Sequence, residues 1–169
     1  MEGAGGERFR GRPVGVALAD PRAKTMSGLA ILRGVVDGSL PAPPIARSLN
    51  FWLAEVAPGR AVFEGEPGFE SVNPLGGVHG GWALTLIDSA CGCAGQTLLD
   101  IGVGYATVET KANLTRGIRP NSGLYRCEAR VLAHGRQIIT TDAQLTGPDG
   151  KLYAHGTSTL MVLKPQSKA

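Results

Sequence analysis

The sequence predicts an α+β domain: an antiparallel sheet wrapped around one long central helix, with an extra helix ahead of it. Three observations predict this. A single long helical run extends from about His79 to Leu99. Four runs with period-two alternation follow it, at roughly 105–116, 123–133, 136–146 and 151–163. Two more strand candidates precede it, near 49–57 and 60–66, with Pro58-Gly59 as the turn between them. The order is strand, strand, long helix, then four strands in a meander. A doubly wound parallel sheet would instead alternate strand with helix.

The elements follow in chain order. Residues 1–24 carry Gly3, Gly5, Gly6, Arg8, Arg10 and Arg12 without apolar periodicity, and are expected to form a flexible arm. Over residues 25–44, Met26, Leu29, Leu32 and Val36 recur at helical spacing behind a cap at Thr25 or Ser27. Pro41, Pro43 and Pro44 end that helix and dictate an extended lead-in. The main domain is expected over residues 45–164, with 165–169 as a tail. Inside it, helix breakers from Gly65 to Gly77 open into the long helix. Asn121-Ser122-Gly123 and Gly147-Pro148-Asp149-Gly150 supply turns.

Composition bounds the function classes. A chain of 169 residues with 43 % hydrophobic and 18 % charged side chains suits one globular domain. The net charge of +3 fits an anionic substrate, but no basic run or helix stripe argues for nucleic acid. No apolar run approaches the ~18–20 residues that cross a bilayer, so no membrane partner is expected. Cys91, Cys93 and Cys127 cannot all pair within one chain, and no secretory signal opens the sequence; a reduced, cytoplasmic protein is expected. Cys91 and Cys93 make a poor metal pair on a helix and read as small apolar residues. Neither a Gly-x-Ser-x-Gly elbow, a dinucleotide fingerprint nor a P-loop is present.

The central helix holds the chemistry. At 100° per residue, Ala83, Leu86, Ile87, Ala90, Ala94 and Ile101 form an apolar stripe for a sheet. The opposite side carries Gly81, Thr85, Asp88, Gly92, Gly95 and Leu99, with Asp88 as the lone charge. Glycine within a helix costs about 0.5–1 kcal/mol relative to Ala. Gly80, Gly81, Gly92 and Gly95 therefore need a steric reason, the close approach of another helix or of a substrate, and the Asp88-Gly92-Gly95 stripe is expected at an interface between copies. At the helix start, Pro74-Leu75-Gly76-Gly77-Val78-His79-Gly80-Gly81 presents unpaired N–H groups at the positive end of the dipole, suited to an anion or a developing oxyanion. His79 is expected to hydrogen-bond locally there. Trp52 and Trp82 read as core or interface, and His134 and His155 as structural.

The spacing Asn73-(six residues)-Gly80-(seven residues)-Asp88, with the His79-Gly80-Gly81 triplet, resembles the PaaI-type acyl-CoA thioesterases. These belong to the hotdog superfamily, as does 4-hydroxybenzoyl-CoA thioesterase. The likeness covers roughly residues 45–163 and continues through Thr107–Arg116, His134-Gly135-Arg136 and Gly150–Gly156. It implies a hotdog fold and hydrolysis of an acyl-CoA, with CoA as part of the substrate and no separate cofactor or metal. Residue by residue, it implies Asp88 as nucleophile or general base and the Gly80 N–H as the group that polarises the carbonyl. It implies further that Asn73 orients the carbonyl or the water, and that Thr107 helps place the water. The Thr107 spacing from Asp88 is one residue longer than the family's. His79, Gly81, Arg116, Gly135 and Arg136 would face the substrate or its CoA, the two arginines as candidates for its phosphates.

Gly80 and Asp88 lie eight residues apart, ~12 Å along a helix. Both must meet one carbonyl, so the site is expected to form between two antiparallel copies in a homodimer or in a dimer of such dimers. Two rivals are a hotdog hydratase or dehydratase using His79 with Asp88, and a non-catalytic acyl-CoA-binding dimer.

Overall fold

The structure, a computed structural model, describes residues 12–164. Three helices, α1 (Gly28–Asp37), α2 (Pro44–Ser48) and α3 (Gly80–Gln96), accompany six strands. These are β1 (Phe51–Ala57), β2 (Arg60–Gly65), β3 (Gly104–Leu114), β4 (Tyr125–His134), β5 (Ile138–Thr146) and β6 (Leu152–Leu163). All pairings are antiparallel, in the order β1-β2-β4-β5-β6-β3. α3 lies across one face of this sheet and touches every strand. The architecture is the hotdog fold.

The core forms where α3 meets the sheet. Ala83, Leu86, Ile87, Ala90 and Ala94 are buried, as the helical projection requires. They pack on Phe51, Phe63, Tyr125, Leu145 and Ala154 from the strands. Trp82 is buried against the edge of Tyr125, and its indole N–H donates to the Leu49 carbonyl at 2.8 Å. Burying Trp requires such a partner for its one donor. Trp52 is buried as well.

α3 runs antiparallel to β3, and the two elements keep step. A side chain added at Gly80 would strike Leu114, Asp88 bonds to Thr110, and one added at Gly92 would strike Tyr105. A bulge between Thr107 and Glu109 breaks the alternation of β3, leaving Val108 without a partner on β6. Beyond it Thr110, Ala112 and Leu114 pair with Ser158, Gly156 and Ala154, so they face the helix.

Six features differ from the sequence expectation. The last four strands are not one meander: β4, β5 and β6 are, while β3 pairs with β6 at the far edge. The segment 115–124 joining β3 to β4 has ten residues rather than a tight turn; it crosses three strand spacings, ~14 Å at 4.7–4.9 Å each. The proline-rich lead-in contains a short helix, α2, because Pro44 at its first position needs no N–H partner there.

Residues 12–24 of the expected arm are folded: Val14 bridges to Ala42, two 3-10 turns span Ala17–Ala19 and Pro21–Thr25, and Ala23 is buried. Asp20 caps the second turn, with its carboxyl held down at about 2 by hydrogen bonds from Arg22. Residues 1–11 of the arm and the tail 165–169 lie outside the described residues. α3 ends at Gln96, so its periodicity does not reach Leu99, which is buried, or Ile101, which is exposed. Finally, Gly92 and Gly95 are buried inside this chain, their missing side chains leaving room for Tyr105 and Leu160. The steric reason is the protein's own sheet, so these glycines are no interhelical stripe.

Candidate active site

The loop before α3 is tied down from several sides. The Ser71 carbonyl accepts the His79 N–H at 2.7 Å, and the Ile118 carbonyl accepts that of Val78 at 3.0 Å. Asn73 closes the loop on itself: its N–H donates to Gly77 at 2.8 Å, and its Oδ1 accepts from Leu75 at 2.9 Å. That engages one lone pair of the Asn73 side-chain oxygen and leaves its amide NH2 without an acceptor among the described residues.

His79 is the N-cap of α3, and its Nδ1 accepts the Gly81 N–H at 2.9 Å. The neutral ring therefore carries its proton on Nε2. This is the local role the sequence suggested, and it removes Nδ1 from proton transfer. Trp82 N–H is also satisfied, by the His79 carbonyl at 2.9 Å. The Gly80 N–H finds no acceptor among the described residues. It stands at the positive end of a 17-residue helix, where the dipole favours negative charge.

Asp88 lies two turns further on and is half-buried. Thr110 Oγ1 donates to its Oδ1 at 2.8 Å, and Ser158 Oγ stands 2.7 Å behind Thr110 Oγ1. No cation pairs with Asp88 among the described residues. Burial and then the Asp88 charge push the neighbouring Cys93 thiol up to about 12, and burial lifts Cys91 to about 11, which disfavours the thiolate at both. Burial likewise raises the Tyr105 phenol, with Cys93 and Asp88 adding to the shift.

Other residues singled out in the sequence are dispersed. Thr107 faces the helix side at the open edge of the sheet, paired with Leu160, and makes no hydrogen bond to Asp88. Arg116 follows β3, at the end of the sheet near Tyr153, whereas Gly135 and Arg136 lie in the β4–β5 turn beside Ile138. Ile138 pairs with Met161 and Ala154 with Leu114, so the two arginines mark opposite ends of β6. Thr110 and Ser158 were missed by the sequence reading. Their signal was the hydroxyl on each of two facing strands, legible only once β3 is known to pair with β6.

Known proteins share this framework. The Thioesterase superfamily model matches residues 75–154, which contain both Gly80 and Asp88. A Saccharolobus solfataricus protein that is an esterase by name is 30 % identical over 129 residues, 76 % of this chain and 89 % of its own. A phenylacetic acid degradation-related protein from Ralstonia eutropha JMP134 has a solved structure with 26 % identity and a TM-score of 0.70, covering 77 % of this chain and 98 % of its own. A Streptococcus pneumoniae protein bearing a thioesterase name was solved with coenzyme A. At 22 % identity, a TM-score of 0.63 and coverage of 70 % of this chain and 92 % of its own, it shares the fold. This chain belongs to the thioesterase superfamily and has its hotdog fold.

Proposed function

We propose that the chain hydrolyses an acyl-CoA thioester to the free acid and CoA, at a site shared by two copies in a homodimer. One observation carries this reading: the free Gly80 N–H and the Asp88 carboxylate lie two turns apart on one helix, ~12 Å by helical rise. The strand alongside gives the same measure, since Leu114 and Thr110 are four residues apart, ~14 Å at 3.4 Å each. No single thioester carbon can meet both within one chain. A two-fold axis between antiparallel copies of α3 brings Gly80 of each to Asp88 of the other and yields two equal sites.

The sheet edge supports the same assembly. β3 is eleven residues long with its outer side unpaired among the described residues, and Val108 and Leu114 on it are 54 % and 55 % exposed. An open edge of this length is normally covered, and a second β3 would cover it. The same axis brings the Arg116 end of one sheet toward the Arg136 end of the other, where both can meet CoA phosphates. Asn73 NH2, Thr107, His79 Nε2, Gly81 and Gly135 line the approach in this arrangement.

In the general-base route a water proton passes to Asp88 as the oxygen attacks the thioester carbon. The oxyanion forms against the Gly80 N–H, the C–S bond breaks, and the proton returns to the CoA sulfur. In the nucleophilic route Asp88 itself attacks, CoA leaves, and water cleaves the mixed anhydride. Label in Asp88 after a single turnover in H₂¹⁸O identifies the second route with water attack on the Asp88 carbon, and rapid-quench trapping of the acyl-enzyme detects it when water attacks the acyl carbon. The His79 Nδ1 cap disfavours the hydratase reading, and enoyl absorbance followed beside thiol release tests that directly.

Complementation tests the shared site. Gly80→Pro and Asp88→Asn homodimers are expected to be inactive against every acyl-CoA that the native protein cleaves. Mixed and re-equilibrated, half the dimers are heterodimers with one intact site of two, restoring about a quarter of native activity. No recovery in a mixture shown to contain heterodimers, or a fully active monomer, overturns the assembly.

A further inference from the structure

A carboxylate offers two oxygens, and this fold ties up one of them. Thr110 Oγ1 donates to Asp88 Oδ1 at 2.8 Å. Ser158, 1 % exposed on β6, places its Oγ 2.7 Å from Thr110 Oγ1 and 2.9 Å from the Glu109 carbonyl. Each hydroxyl has a single proton. An ionised carboxylate can only accept, so the Thr110 proton belongs to Asp88. The contact between the hydroxyls must then use the Ser158 proton, which Ser158 shares with the Glu109 carbonyl. Donation is thereby ordered from Ser158 to Thr110 to Asp88, and each bond polarises the next toward the charge.

We infer that Thr110, backed by Ser158, is the positioning residue of the site: it pins Oδ1 and leaves Oδ2 to work on the thioester or its water. The inference rests on Asp88 being the reacting carboxylate. A carboxylate turns easily about its last torsion, whose energy wells are broad. Without a fixed donor, neither oxygen would hold one direction. Thr110 acts through Asp88 and not on the substrate, so its loss is expected in kcat and not in KM.

The test compares Thr110→Val, Thr110→Ser and Ser158→Ala in the full chain, on whichever acyl-CoA the native protein cleaves fastest. Valine keeps the shape of threonine and removes the hydroxyl. T110V is expected to lower kcat by about 10- to 100-fold, the worth of a hydrogen bond to a charged group, with KM unchanged. T110S should keep most of the native rate, and S158A should lose about 3- to 10-fold. In a D88N background, T110V should cost nothing further.

Folded T110V with native kcat overturns the inference. So does T110S that is as slow as T110V, which would mark a packing role for the methyl group. Should T110V fail to fold, S158A at native kcat overturns it equally. D88N alone keeps the two readings apart. If it retains turnover, Asp88 is not the reacting group; if it is silent while folded T110V keeps native kcat, only the positioning role falls.

Discussion

Two carboxylates on the two sides of this sheet are treated in opposite ways. On the outer face, Glu128 receives Arg60 Nε on one oxygen and a second Arg60 nitrogen on the other, both at 3.0 Å, and Arg130 at 2.6 Å. Arg60 also reaches Glu55, and Arg126 joins Glu55 to Glu64. On the helix face, Asp88 has a single hydroxyl on a single oxygen among the described residues. The first carboxylate carries three guanidinium donors over its two oxygens and ties β2 to β4. The under-partnered one keeps an oxygen in reserve. Chemistry belongs where partners are withheld.

The comparison breaks first at Asp88. Asp88→Asn is expected to lower kcat by about 10²–10⁴-fold, the range of general acid–base effects, with little change in KM; steady-state kinetics checks it. A near-native rate would put the two carboxylates on the same footing.

Gly80 comes next, and its environment permits a clean substitution. It is the first residue of α3, where proline is accepted, and His79 already has φ −61° and ψ 133°, as a residue before proline needs. Gly80→Pro therefore deletes the N–H from an intact helix, and should lose about 10²–10³ in kcat. Gly80→Ala meets the same flexible Leu114 end but keeps the N–H, so it should retain far more activity. Equal losses in both variants would assign the effect to crowding.

A smaller effect is expected at Gly95, where any side chain meets Leu160. Gly95→Val should destabilise by about 1–3 kcal/mol through overpacking, read in urea denaturation, with kcat per folded molecule preserved. The smallest belongs to the outer face. Arg60 holds the Glu128 carboxyl, and Arg126 with Arg60 the Glu55 carboxyl, below the ordinary value of 4.5. Because the folded-state values are depressed, this stabilisation is full above pH 4.5 and is lost as pH falls through them. Arg60→Gln should cost no more than about 1 kcal/mol per exposed pair at neutral pH. It should also flatten the fall of Tm with pH below 4.5. An unchanged acid slope would show that the ladder contributes nothing.

Element types were legible because the local signals agreed. Period-two runs became strands and the 3.6-residue run became α3, with ends shifted by a few residues. Asp88 and Gly80 stood out for a related reason: a lone charge and an unshielded amide are anomalies of composition at known places on a helix. Strand neighbours were not legible, since alternation gives the facing of β3 but not that it borders β6. Thr110 was hidden for the same reason and a second one. Its partner is 22 residues away, and an extra residue at Val108 resets the alternation that would otherwise have been counted from Thr107. Gly92 and Gly95 were read as room for a visitor when Tyr105 and Leu160 already occupied it.

The irregularity at Val108 sits on a strand that, among the described residues, has a neighbour on one side only. Within the chain the added residue disturbs one ladder, that with β6, and pairing resumes at Glu109 with Thr159. Chain length between the carboxylate and the hydroxyl that steadies it can thus drift by a residue without parting them. Counting residues along the chain is therefore a poor guide to which threonine meets Asp88.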